Sequence, residues 1–203
     1  IQLGFNNGGY FRIEGNRITH VSDKGIYIPT CVYGNTYSFD IINNYIQTEG
    51  AGITTGIQIE DNTTVSSILF NSINITGNNA LSKSLEIIKS SNLTIKNNIF
   101  ANQGPGYAVY IGNSIASSCN FDFNNYYNST NIFAYLNGVY FTSIGDWSIV
   151  TGEDVNSRTF NPFFANPHGY KLYQCGLNGA GIPIPGVAND IENEARNPLA
   201  PDI

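Results

Sequence analysis

The chain has 203 residues and a formal net charge of −6, with nine Lys and Arg against fifteen Asp and Glu. So few cations exclude nucleic acid as a partner, because phosphate contact needs a basic face, and no apolar run approaches the roughly 18 residues of a membrane span. Charged residues make up only 12%, Asn fills 29 positions, and Ile outnumbers Leu 27 to 9; stiff β-branched side chains favour strands, so the composition points to an all-β chain.

The chain opens at Ile1 and contains no Met, which reads as a mature form or a fragment. An eight-residue pattern then recurs: apolar, any, apolar, any, any, Asn, any, apolar. It appears as Phe11, Ile13, Asn16, Ile18 and returns as Phe39, Ile41, Asn44, Ile46. Weaker and later copies are Ile68, Asn71, Ile73, then Leu93, Ile95, Asn98, Phe100, then Cys119, Phe121, Asn124, Tyr126. The Asn spacings are 28, 27, 27 and 26 residues. Between copies lies a second alternating segment: Gly25–Ile28, Gly56–Ile59, Leu85–Ile87 and Val109–Ile111. Period two marks a half-buried strand, so each unit is expected to hold at least two strands separated by Asn- and Gly-rich turns.

A unit of about 27 residues cannot bury a core alone, but stacked units can. Equivalent strands then pair in parallel about 4.8 Å apart, with Ile13, Ile41, Ile68, Ile95 and Phe121 stacking inward. Asn16, Asn44, Asn71, Asn98 and Asn124 are expected in a bend, in left-handed backbone that Asn tolerates, with their amides bonded along the axis. A propeller blade needs about 40 residues, and a leucine-rich spacing is absent. The expected fold is therefore a right-handed parallel β-helix, a solenoid of about five coils over residues 1–140. Residues 141–203 lose the period and are rich in Pro and aromatics. They are expected to form irregular chain packed on the helix, with a short helix or turn around Trp147.

The runs "FDIINNYI" and "LTIKNNIF" resemble the right-handed parallel β-helix proteins of the pectate-lyase-like superfamily. "NPLAPDI" at residues 197–203 looks like the ending of large secreted β-helix proteins common in the Bacteroidetes, and residues 161–183 resemble the segment that precedes it. The resemblance implies an extracellular or bacterial cell-surface protein, a monomer or part of a larger chain, with polysaccharide as partner. It also implies that any site lies among outward residues of a sheet and its loops.

In the first strand set the outward pairs Arg12–Asp40 and Lys96–Asp122 fall on adjacent coils and read as structural cross-strand neighbours. In the second set, Tyr27, Gln58, Glu86 and Tyr110 fall in one outward row. Rings that stack on sugar faces, with amide and carboxylate for hydroxyls, suit carbohydrate binding. A lyase of the superfamily needs a basic residue and a Ca²⁺ site of clustered carboxylates. Glu60, Asp61 and Glu86, with Lys83 or Lys89, come nearest to that. For a glycosidase no acid dyad emerges, because the acids fall at different registers. His20 and His168 read as surface residues, and Cys31, Cys119 and Cys175 as buried free thiols. Four Asn-x-Ser/Thr sequons, at Asn62, Asn74, Asn92 and Asn128, are what an Asn-rich chain yields by chance. The leading expectation is a secreted or cell-surface module that binds polysaccharide without chemistry in this segment, needing no cofactor. The alternatives are a lyase or hydrolase of the superfamily, with Ca²⁺ if a lyase, and a structural adhesin or stalk.

Overall fold

A computed structural model describes residues 1–2, 9–30, 37–62, 64–112, 118–130, 132–165 and 171–203, without the Asn62 side chain. Cys31, Pro167 and His168 lie outside the described residues. The fold is a parallel β-solenoid, as the Asn repeat predicts.

Each coil contributes three strands. The first coil has β1 (Gly9–Glu14), β2 (Arg17–Val21) and β3 (Lys24–Ile28). The second has β4 (Tyr37–Ile42), β5 (Tyr45–Thr48) and β6 (Thr55–Asn62), and the third β7 (Ser66–Leu69), β8 (Ser72–Ile75) and β9 (Lys83–Ser90). The fourth has β10 (Leu93–Lys96), β11 (Ile99–Asn102) and β12 (Tyr107–Ile111), and the fifth β13 (Asn120–Asp122), β14 (Asn125–Asn128) and β15 (Ala134–Leu136). The first sheet runs β1-β4-β7-β10-β13, the second β2-β5-β8-β11-β14, and the third β3-β6-β9-β12-β15, closed by antiparallel β16 (Val139–Phe141). Five layers are thus joined by four full steps of the coil.

Like residues stack on like. Ile13, Ile41, Ile68, Ile95 and Phe121 pair in direct register on the first sheet. Ile18, Ile46, Ile73, Phe100 and Tyr126 do so on the second, and Ile26, Ile57, Leu85, Val109 and Ala134 on the third. All three columns face one continuous core.

The Asn residues form a ladder between the first two sheets. Nδ2 of Asn16, Asn44, Asn71 and Asn98 each donates to Oδ1 of the Asn one coil on, at 2.9–3.0 Å. Their backbone N–H groups donate to the same oxygens. The left-handed residue, however, is the one before each ladder Asn: Gly15, Asn43, Phe70, Asn97 and Phe123, with φ between 53° and 68°. The ladder Asn residues are not themselves left-handed, and their carbonyls start the next strand ladder, as Asn44 O does for Ser72 N–H at 2.9 Å. The reversal therefore falls one residue earlier.

The far end of the ladder is capped. Asn124 N–H donates to Ser157 Oγ at 2.8 Å and its amide to Asp154 at 3.4 Å. Asp154 also accepts from Trp147 Nε1 at 2.7 Å, from the Tyr126 hydroxyl and from Ser157. Trp147 is carried by helix α1 (Ile144–Thr151), which starts at the Ser143 cap and ends at left-handed Gly152. Its ring is fully buried, edge-on to Phe121, Phe133 and Phe141.

From about residue 160 the chain runs back along the outside of the coils. Ile99 and Ala101, outward on the second sheet, are buried by Leu177 and Ile203, and Tyr45 meets Phe164 ring to ring at 6.0 Å. Farther on, Asn97 exchanges two hydrogen bonds with Ile182, Val187 covers Ile42, Leu69 and Phe70, and Asn43 Nδ2 donates to Asn189 O. Arg196 stacks its guanidinium on Phe70 at 3.9 Å and donates to Asn43 Oδ1. Cys119 is the buried thiol expected, but Cys175 is exposed, because its 3₁₀ turn points Leu177 inward instead.

Candidate functional site

Among the described residues, the apolar packing of this returning chain falls on the first and second sheets and not on the third. The outward row of the third sheet is Tyr27, Gln58, Glu86 and Tyr110, consecutive partners on four adjacent strands. The structure thus brings together all four residues singled out in the sequence, and extends the row to Tyr135 and Tyr140. Strict alternation puts them outward, since Ile26, Ile57, Leu85 and Val109 beside them point into the core.

The row is aromatic at its ends and polar in its middle. Gln58 and Glu86 are only 6% and 8% exposed. Lys83 lies over them, its Nζ 2.7 Å from Glu86 Oε1 and 4.8 Å from the Tyr110 ring centroid. At one end the Tyr27 hydroxyl donates to Glu60; that bond, then burial and the carboxylate's charge, pushes the phenol up to about 12. Glu60 also accepts from the Thr30 N–H and hydroxyl.

At the other end four tyrosines cluster. Tyr110 and Tyr135 stack face to face at 4.3 Å and 7°. Tyr107 and Tyr140 lie at 21° to one another and about 60° to that stack. Burial raises the Tyr107 and Tyr110 hydroxyls above their usual value, and their tyrosine neighbours raise them further. Tyr107 and Tyr110 are therefore neutral donors and acceptors near pH 7. The stack has a consequence for ligand contact. Tyr135 stacks on the Tyr110 ring and Lys83 Nζ sits over it at 4.8 Å, so the ring is already engaged by its neighbours. The rings turned out of that stack are Tyr107 and Tyr140, the latter 57% exposed.

Tyr107, Tyr135 and Tyr140 were not singled out in the sequence. Ala134-Tyr135-Leu136 repeats the apolar-Tyr-apolar alternation of Val109-Tyr110-Ile111, and that signal was there to find. Tyr140 enters the row only through an antiparallel hairpin, turned at Asn137 and Gly138, both at positive φ. Such a turn needs residues that tolerate left-handed backbone, and Asn-Gly is its preferred pair.

The acidic residues disperse. Lys89 pairs with Asp61 at 3.2 Å, Lys83 with Glu86, and Glu60 serves Tyr27 and Thr30. Among the described residues no three His, Cys, Asp or Glu side chains come together to hold a metal ion. The carboxylates expected of a Ca²⁺ site are thus each engaged separately and do not fit one. His20 sits exposed within β2, not in a turn: it takes φ 59° where the register of β2 shifts against β5, and its ring lies beside Thr19 Oγ1. On the first sheet Arg12 and Asp40 are register partners, as are Lys96 and Asp122. Neither couple is an ion pair: Arg12 reaches along its own strand to Glu14 at 2.8 Å, Asp40 takes the Tyr10 hydroxyl, and Asp122 takes Asn156.

Two clefts among the described residues lie away from this row. One of about 440 Å³ is lined by Asp190, Glu194, Arg196 and Asp202, and an apolar one of about 310 Å³ by Phe70, Ile184, Val187 and Pro198. The first lies within the returning chain itself and the second between that chain and Phe70, and Arg196, which borders both, already serves as an anchor. No helix among the described residues is long and apolar enough to cross a membrane. No family model, curated protein or solved structure matches the chain.

Proposed function

We propose that the protein is an extracellular or cell-surface β-solenoid module, of the kind its pectate-lyase-like resemblance implies, which binds polysaccharide on its third sheet. The observation that carries this reading is the cluster of Tyr107, Tyr110, Tyr135 and Tyr140 on the flank that the described residues of the returning chain leave without apolar cover. Exposed aromatic rings are costly unless they meet a ligand, and phenol edges and hydroxyls suit the mixed apolar and polar faces of a sugar. Lys83 and Lys89 are each held by a carboxylate, so the flank offers hydrogen bonds rather than a free base for lyase chemistry.

The test is binding of the whole chain to a panel of soluble polysaccharides by calorimetry or affinity electrophoresis. Tyr140→Ala is expected to weaken binding by about 1–2 kcal/mol, the range of an aromatic contact with its buried area. Its melting temperature should stay within a few degrees of the parent, because the ring is mostly in water. A parent protein that binds no glycan, or a Tyr140→Ala variant that binds as tightly as the parent, refutes the reading.

A further inference from the structure

Resting on that sugar-binding reading, we propose that the third-sheet flank selects neutral polysaccharides and turns away those carrying uronate or sulfate groups. The side-chain cations beside the row are Lys24, Lys83 and Lys89, and the described residues of the sheet include no arginine. Each lysine already faces a carboxylate: Asp23 at 3.0 Å, Glu86 at 2.7 Å and Asp61 at 3.2 Å. Lys24 and Lys83 also sit over the rings of Tyr27 and Tyr110. A fourth carboxylate, Glu60, is met by hydroxyl and N–H donors and not by a cation. The Ile1 ammonium donates to Gly25 O at 2.6 Å at the β3 edge, so four carboxylates stand against four cations and the flank carries no surplus positive charge, in a chain whose net charge is −6.

Acidic sugars are recognised by an uncommitted cation, best by a forked guanidinium. Here a uronate would have to draw a lysine off its partner. For Lys83 that strands Glu86, a carboxylate 8% exposed, without its counter-charge, which is strongly unfavourable. The Lys89–Asp61 pair is exposed and opens readily in water. Opening it frees one charge of each sign, so no positive surplus appears. What remains on offer is neutral: the Tyr107 and Tyr140 rings, four phenol hydroxyls and the Gln58 amide. These match the hydroxyls and apolar faces of an uncharged sugar.

The experiment compares neutral chains (glucan, xylan, mannan, arabinan) with acidic ones (polygalacturonate, alginate, chondroitin sulfate), using the full chain at 20 and 200 mM salt. The best neutral glycan should bind at least about threefold more tightly than any acidic one at low salt, the effect of the Glu60 charge, which no cation meets, acting from about 7 Å away in water. The gap should narrow at high salt, where the Debye length drops below about 8 Å. Glu60→Lys, which gives the flank a positive surplus, should raise acidic relative to neutral affinity. An acidic glycan that binds as tightly as every neutral one overturns the selection while leaving the sugar-binding reading intact. Absence of binding to both classes removes that reading and the selection with it.

Discussion

Replacing Asn71 with Ala is the sharpest test of what holds the coils in register. Asn71 Oδ1 accepts from Asn44 N–H at 3.0 Å and from Asn44 Nδ2 at 2.9 Å. Its Nδ2 donates to Ile41 O at 2.8 Å, Leu69 O at 3.1 Å and Asn98 Oδ1 at 3.0 Å. The residue is buried, so water cannot replace these partners. Truncation orphans the Asn44 N–H outright and weakens the satisfaction of Ile41 O. Two such groups at about 1–3 kcal/mol each give a loss of about 2–6 kcal/mol. That is a large share of the roughly 5–15 kcal/mol by which folded domains are stable. Asn16→Ala is the internal control. Asn16 lies at the first rung, half exposed, and its side chain only donates, to Glu14 O and Asn44 Oδ1; about 1 kcal/mol is expected there. Asn71→Asp should be worse than Ala, because a carboxylate oxygen would then face three acceptors. Urea titrations followed by circular dichroism read all three as shifts in midpoint at unchanged slope. Equal costs for Asn71→Ala and Asn16→Ala would refute the ladder as the source of register.

Two further outcomes follow from single positions. Burial holds the Asp154 carboxyl at about 6, above its ordinary 3.8, although Ser157, Trp147, Asn124 and Tyr126 donate to it. The folded state therefore keeps a proton that the unfolded chain has lost, so this group's stabilisation is whole below pH of about 4 and is lost as pH rises through about 6. The gap amounts to about 3 kcal/mol. Asp154→Asn should remove that slope, and parallel profiles of denaturation midpoint between pH 4 and 7 for parent and variant would contradict it. A Cβ at Gly56 would stand 2.4 Å from Ile73 Cγ2 and 2.6 Å from Ser84 O. Gly56→Ala should lower stability by about 1–3 kcal/mol or more, as overpacking of a rigid core does; an unchanged melting temperature would show that coil spacing is not fixed there.

The columns of the core were legible because the solenoid repeats a period-two strand at constant spacing, so one register places every inward residue from Ile13 to Phe121. The middle strand of each coil was harder to see. Tyr45, Ile99 and Ala101 point outward yet are buried by the returning chain, and a strand covered on both faces loses its alternation. The same covering explains Ile42 and Leu69, apolar residues at outward positions of the first sheet. Charge pairs were misread for a different reason. Register fixes which Cα atoms face each other, but a long side chain chooses among all neighbours within reach, and Arg12 finds Glu14 on its own strand. The row of Tyr27, Gln58, Glu86 and Tyr110 was readable from register, whereas the facing of its rings was not. That depends on Tyr135 stacking against Tyr110 and on a hairpin that brings in Tyr140.

The uneven covering of the three sheets is itself informative. A coil with three sheets presents three outer faces, and the tail of this chain buries apolar residues on two of them. On the second sheet it covers Ile99 and Ala101; at the end of the first it covers Ile42 and Leu69. Its anchors, Asn97 to Ile182 and Arg196 to Phe70 and Asn43, all sit on the bend between those two sheets. The described residues of the tail give the third sheet no such cover, and its outward row differs accordingly: tyrosines, a glutamine and carboxylates with paired lysines. Such side chains stay stable against water while keeping ring edges and hydroxyls on offer. If the third sheet served only as a wall, its outward row would need nothing beyond solubility, and the four-ring cluster at one end would bring only exposed aromatic area. Its position clear of the described residues of the tail is what a surface reserved for a ligand requires.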